Sequence, residues 1–94
     1  MTKEYIQPDL GCSGYLLASG FQLLGLKEIS PNRYGFVFCD PLGRAEKESL
    51  AYFAGAIIGA EKLTISLRRL KAELRTKRME KMERKHAYPK AAYR

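Results

Sequence analysis

A stripe of leucines near the C-terminal end of the chain constrains its fold more than any other feature. The stripe consists of Leu63, Leu67, Leu70 and Leu74, which follow one another at intervals of four, three and four residues. These intervals place the four side chains on one side of an α-helix. Because an apolar stripe gains free energy by leaving water, we expect this helix to pack against the rest of the chain as its central core element.

Most of the basic residues lie in the same segment. Residues 61–94 contain 12 of the 17 Lys and Arg residues but only four of the ten acidic residues, a balance of +8, whereas residues 1–60 carry −1. The leucine stripe ends at Leu74, but residues with high helix propensity continue beyond it. We therefore predict a helix over residues 61–86, about 39 Å long, that runs past the core into solvent. Residues 87–94 then form a frayed tail.

The composition indicates one small folded unit. With 94 residues there is no room for a second core, and 46% hydrophobic residues favour a soluble globule. We assign residues 1–75 to a single α+β domain and residues 76–94 to a basic helical extension and tail. The N-terminus lacks the apolar segment of a secretory signal, and no apolar run reaches the roughly 20 residues that span a membrane. We expect a cytoplasmic protein without membrane association.

The first part of the chain predicts a short helix followed by a two-stranded antiparallel hairpin. Residues 1–8 are interpreted as a loosely held arm. Asp9 is suited to cap a helix, and Gly20 to end it in the left-handed conformation. Apolar runs over residues 21–29 and 33–39 then flank a Ser-Pro-Asn turn, which is typical of a hairpin.

Aromatic residues alternate along the second strand of this hairpin. Tyr34, Phe36 and Phe38 lie on one face, whereas Val37 and Cys39 lie on the other. Such a ladder can stack nucleic-acid bases, but no basic residue is interleaved, and a two-stranded sheet needs cover from a helix. We therefore interpret the ladder as core. Because both faces are apolar, either a second helix layer or a second copy of the chain covers the other face, so a homodimer is left open.

A second helix is predicted directly after the hairpin. Asp40 can cap its first turn, and Pro41 fits the first helical position. Leu50, Phe53 and Ala54 have the spacing of one buried helical face.

Two glycines follow this helix. Gly55 and Gly59 favour a break in it, so that Ile57 and Ile58 dock back onto the hairpin. The alternative is one continuous helix from 41 to 86 that contains both glycines.

No constellation of catalytic or metal-binding residues stands out. His86 is the only histidine, and it lies in the charged extension, far along the chain from Cys12 and Cys39. The chain has no CxxC pair, no HExxH motif and no glycine-rich phosphate loop. We therefore expect a protein that is not an enzyme, with no catalytic residues, no metal site and no cofactor. Both thiols are expected to be reduced.

The basic helix is the candidate binding surface. Nine of its side chains are candidate nucleic-acid ligands: Arg68, Arg69, Lys71, Arg75, Lys77, Arg78, Lys81, Arg84 and Lys85. Basic residues at helical spacing can neutralise successive phosphates and release their counterions, and a helix fits the DNA major groove. Tyr88 and Tyr93 in the tail could stack on exposed bases.

Two functions use this helix equally well. The leading interpretation is a non-enzymatic accessory protein that binds nucleic acid, either DNA or RNA. The alternative is a protein-binding adaptor or inhibitor that docks the basic helix on an acidic surface of a partner protein.

The order of several motifs resembles a small uncharacterised family of bacterial and phage or mobile-element proteins. The resemblance covers residues 9–75 and rests on Asp9 followed by YLLASGFQLLGL at 15–26, FVFCDPLGR at 36–44, YFAGAII at 52–58 and SLRRLKAEL at 66–74. Ala54 departs from the family pattern, in which a polar residue such as Asn is expected. The resemblance implies a helix–hairpin–helix–helix fold and a mobile-element setting, and it transfers no site residue.

Overall fold

The fold combines three helices with one antiparallel sheet, in agreement with the predicted α+β class. A computed structural model describes residues 3–92, of which residues 83–92 are described in their backbone only. The elements follow in the order β1 (Glu4–Gln7), α1 (Leu10–Ala18), β2 (Gln22–Ser30), β3 (Arg33–Cys39), α2 (Ala45–Phe53) and α3 (Ala60–Ala92).

The sheet has three strands, in the order β1-β3-β2. β2 and β3 form the predicted hairpin, with Asn32 at a φ of 65° in its turn. β1 pairs with the other edge of β3, from Glu4 opposite Cys39 to Gln7 opposite Phe36. The predictions of a two-stranded sheet and of a loosely held arm were therefore wrong, because residues 4–7 form a third strand. The EYIQ strand is too short to show an alternating pattern, and it forms only because β3 offers an unpaired edge.

Helix α1 begins and ends where its capping residues predicted. The Asp9 carboxylate accepts a hydrogen bond from the backbone N–H of Cys12, with an N–O distance of 2.7 Å. After the helix, Gly20 has a φ of 106°. Gly14 lets α1 approach α3 closely, because a Cβ atom at this position would lie 2.6 Å from Cδ2 of Leu67.

The core lies between α1, α3 and the inner face of the sheet. Its buried residues are Tyr15, Leu16, Phe36, Phe38 and Leu70. Leu70 is 0% exposed and the other three members of the leucine stripe are partly buried, which confirms the predicted packing of α3. The interpretation of Phe36 and Phe38 as core residues is also confirmed.

The outer face of the sheet carries a small apolar cluster. Ile6, Leu24 and Ile29 are about two-fifths exposed there. A Cβ atom on the buried Gly35 would meet Cγ2 of Ile6 and of Ile29. The two isoleucines therefore close over Gly35, and this face needs less cover than the alternating pattern indicated.

Helix α2 begins four residues later than predicted. The Asp40 carboxylate accepts hydrogen bonds from the backbone N–H groups of Arg44 (2.7 Å) and Ala45 (3.2 Å), across a turn in which Gly43 has a φ of 67°. Asp40 thus caps the helix from five positions before its first residue. The intervening turn forms because Gly43 adopts the left-handed conformation, so Pro41 lies in this turn and not at the first helical position.

The buried face of α2 differs from the predicted one. Leu50 and Phe53 are 65% and 62% exposed, and Ala54 is exposed as well. Ala45 and Ser49 are buried instead. Small residues on this face let α2 approach α1, and Tyr52 of α2 then reaches the core, so tertiary contact overrides the apolar spacing.

The link between α2 and α3 breaks the helix, as the two glycines predicted. Gly55 has a φ of 95°, and α3 begins at Ala60, so the continuous-helix alternative was wrong. Ile58 packs against the core, whereas Ile57 is 98% exposed and does not dock on the hairpin. In an extended link, adjacent side chains point in opposite directions, so only one of the two isoleucines can pack.

Helix α3 is longer than predicted. Its 33 residues are about 50 Å long, and the molecule measures 55 × 32 × 18 Å. The backbone is helical through Ala92, including the predicted tail up to that residue. Pro89 is compatible with helical φ angles at the cost of one backbone hydrogen bond, and the neighbouring alanines favour helix. No helix in the described range 3–92 is both long and apolar enough to cross a membrane.

Candidate nucleic-acid interface

Helix geometry sorts the nine candidate basic residues into groups. Successive residues advance by about 100° around a helix, so Arg68, Lys71, Arg75 and Arg78 fall within an arc of roughly 80°. All four side chains are exposed. They extend over about 15 Å of α3, and we call these four residues the basic face.

The basic face is uniformly positive along its length. The single acidic residue between Arg68 and Arg78 is Glu73, which lies on a different side of α3. Arg69 lies on that other side, four residues before Glu73, at the spacing of a helical ion pair. Arg69 is exposed and is separated from the basic face.

Lys77 and Lys81 continue the leucine stripe rather than the basic face. They follow Leu74 at intervals of three and four residues, and both are partly buried. Lys81 Nζ donates hydrogen bonds to Oε2 of Glu28 and, at 3.4 Å, to Oδ1 of Asn32. The hydrogen bond to Glu28 raises the pKa of Lys81.

Lys81 thereby joins the helical extension to the β2–β3 turn. The sequence had predicted instead that the extension projects into solvent at this point. Lysine can occupy a stripe position because its methylene groups lie along apolar surface while its ammonium group reaches a polar partner.

A cleft opens between the β2–β3 turn and α3. It has a volume of about 300 Å³ and is lined by Asn32, Tyr34, Arg78, Lys81 and Met82. We call it the hairpin cleft. Tyr34 is only partly buried and differs in this respect from Phe36 and Phe38 of the same ladder. The sequence grouped the three aromatics as core, and their alternation along β3 gave no signal that the environment of Tyr34 differs.

Four predicted residues of the extension lie outside the described side chains. They are Arg84, Lys85, Tyr88 and Tyr93. Their contribution to the surface stays a prediction from the sequence.

A second cavity lies at the opposite end of the sheet. It has a volume of about 550 Å³, and its lining includes Phe21, Cys39, Asp40 and Glu48. Cys12 and Cys39 are not joined in a disulfide, and burial raises the pKa of the Cys12 thiol. Among the described side chains, no three His, Cys, Asp or Glu residues are grouped as metal ligands.

Comparison of the chain with protein-family models, with curated proteins and with solved structures gave no match. The family resemblance of residues 9–75 therefore remains an expectation.

Proposed function

We propose that the chain binds nucleic acid through the basic face of α3, as a non-enzymatic accessory protein. One observation carries the proposal: four exposed cations lie within a narrow arc of one helix, with no acidic residue among them on that arc. The neighbouring side of the same helix is held in the core by Leu70. Arg68, Lys71 and Arg75 thus lie on the packed part of α3, and Arg78 lies about one turn beyond its last leucine.

The chemistry of this face suits phosphate rather than a small ligand. Arginine can donate two parallel hydrogen bonds to a phosphate, and lysine adds a point charge. Four phosphate contacts would give a slope of about −3.6 in a plot of log affinity against log salt for duplex DNA, and about −2.8 for a single strand. Such a salt dependence would distinguish phosphate binding from binding through apolar surface.

The test is a salt titration with labelled random-sequence oligonucleotides, both single-stranded and duplex. Fluorescence anisotropy from about 50 to 200 mM salt would give the slope. We expect the double variant Lys71→Gln, Arg75→Gln to bind more weakly and to reduce the size of the slope by about two. The matched control is Lys62→Gln, Arg69→Gln, which removes the same charges from another side of α3.

Equal losses of affinity in the two double variants would mean that net charge, and not the basic face, determines binding. Absence of binding even at the lowest salt would contradict the proposal as a whole. The phage or mobile-element setting is a further part of the proposal that is supported only by the family resemblance.

A second candidate function is docking on an acidic surface of a partner protein. It is favoured by the exposed apolar residues Ile65, Met79 and Met82, which flank the basic face. Methionine beside basic residues is common on helices that bind proteins. If no nucleic acid binds at low salt, this candidate becomes the leading one. Its test is cross-linking of a partner protein to a reactive group attached on the basic face. The control attaches the same group on the side of α3 that carries Lys62 and Arg69.

A further inference from the structure

The hairpin cleft has the size of a site for one aromatic ring. Its volume of about 300 Å³ is at the lower end of the range of ligand pockets. It is open enough for a planar group to enter between the β2–β3 turn and α3.

The walls of the hairpin cleft combine three kinds of contact. Tyr34 offers an aromatic face and Met82 a polarisable sulfur, both of which pack well on planar rings. The side-chain amide of Asn32 carries both hydrogen-bond donors and an acceptor, which match the edge of a base. Arg78 adds positive charge, whereas the charge of Lys81 is paired with that of Glu28. Stacking, edge recognition and cations together are the chemistry that recognises a nucleotide.

Arg78 belongs both to the basic face and to the hairpin cleft. Phosphates bound along the basic face would therefore lead a nucleic-acid strand directly to the cleft. A base can enter it only if that base is neither paired nor stacked in a duplex. Occupancy of the hairpin cleft by a base would thus favour single over double strands, whereas the basic face alone would not.

We infer that the chain binds single-stranded nucleic acid and seats one base against Tyr34 in the hairpin cleft. The inference rests on the proposed function, because the basic face supplies the phosphate contacts. The base stacks on the Tyr34 ring, the adjacent phosphate contacts Arg78, and the rest of the strand follows α3 toward Arg68. Lys81 keeps Asn32 in position through its hydrogen bond.

The test compares variants of Tyr34 for binding to a labelled oligothymidylate and to a duplex of equal length. Tyr34→Leu keeps apolar bulk at this partly buried position but removes the aromatic face. We expect it to weaken single-strand binding about 5- to 150-fold, the range for loss of one stacked base, and to leave duplex binding within twofold of the parent. Tyr34→Phe retains stacking and is expected to bind like the parent. Phe53→Leu, at an exposed aromatic of α2, is the matched control.

A photo-cross-linking measurement on the unaltered chain covers the case in which Tyr34→Leu does not fold. Oligothymidylate substituted with 5-bromouracil is irradiated in the complex, and adducts are mapped by mass spectrometry. We expect adducts on Tyr34 or Met82. Adducts confined to other residues, or unchanged single-strand affinity in a folded Tyr34→Leu variant, would overturn the inference. The proposed function would still stand if the salt slope and the Lys71, Arg75 effect remained, whereas loss of all binding at low salt would remove both.

Discussion

At the residue scale, two leucines show that the contribution of a side chain to stability depends on its surroundings. Leu70 is 0% exposed between α1 and the sheet, whereas Leu50 is 65% exposed on α2. The two residues have the same chemistry and both belong to helices. Only the first removes its whole side chain from water on folding, so the two positions respond differently to truncation.

We expect Leu70→Ala to lower the free energy of unfolding by about 2–5 kcal/mol, since it removes buried methyl groups and leaves a cavity. Leu50→Ala is the control of identical chemistry, and it should change the free energy by no more than about 0.5 kcal/mol. Urea denaturation followed by circular dichroism measures both. Similar values for the two variants would contradict the observed burial of α3 against the sheet.

Local signals at single residues were sufficient for the boundaries of α1. The cap at Asp9 and the left-handed Gly20 depend on atoms within a few residues, so the sequence predicted both. Tyr34 is the contrary case. Its alternation with Phe36 and Phe38 is identical to that of a core residue, and only the position of α3 beside the turn leaves it partly exposed in a cleft.

At the scale of elements, the two halves of α3 have different roles in the structure. Its first half contributes Leu70 to the core, and its second half carries part of the basic face beyond the last leucine of the stripe. The Lys81–Glu28 ion pair joins this second half to the hairpin. Because exposed ion pairs contribute little to stability, binding and folding should be separable in this helix.

We expect a chain that ends at Arg75 to keep a cooperative unfolding transition, since the leucine stripe is complete at Leu74. The same truncation removes Arg78 and the hairpin-cleft wall on α3, so single-strand affinity should fall by at least tenfold, as expected for loss of one phosphate contact and one stacked base. Thermal unfolding and anisotropy measure the two effects. Loss of the unfolding transition would show that the extension is required for the fold.

The sequence predicted helix α2 but not its buried face, because that face depends on the contact between two helices. Leu50, Phe53 and Ala54 have helical spacing, but so do Ala45, Ser49 and Tyr52 on another side. Which side is buried depends on how closely α2 can approach α1, and the small residues Ala45 and Ser49 allow the closer approach. Apolar spacing therefore predicted the helix but not its orientation.

At the scale of the whole molecule, α3 makes the chain elongated. The radius of gyration of its Cα atoms is 15.9 Å, compared with about 12 Å for a compact domain of this length. The net charge is also concentrated on the segment that contains α3, with −1 on residues 1–60 and +8 on residues 61–94. A long-range field concentrated at α3 would accelerate encounters with a polyanion.

Small-angle X-ray scattering tests this shape. We expect a radius of gyration near 16 Å for a monomer in dilute solution, since the value follows from a straight α3. A value near 12 Å would mean that the second half of α3 folds back on the domain. Forward scattering that corresponds to twice the mass would identify the homodimer that the sequence left open.

The sequence by itself determined the features that depend on near neighbours along the chain. These are the caps of α1, the β2–β3 turn, the break between α2 and α3, the buried leucine stripe and the concentration of basic residues on α3. Each is specified by side chains within one or two turns of one another, where propensity and spacing act directly. The fold class followed from their order.

The tertiary structure alone decided the features that depend on residues far apart in the chain. β1 exists because β3 has a second edge, α2 turns Ser49 rather than Leu50 inward, and Lys81 meets Glu28 across 53 positions. The hairpin cleft arises in the same way, from a turn and a helix that share no local signal. Packing brings these groups together after each element has formed, so the candidate site could be located on α3 from sequence but its cleft could not.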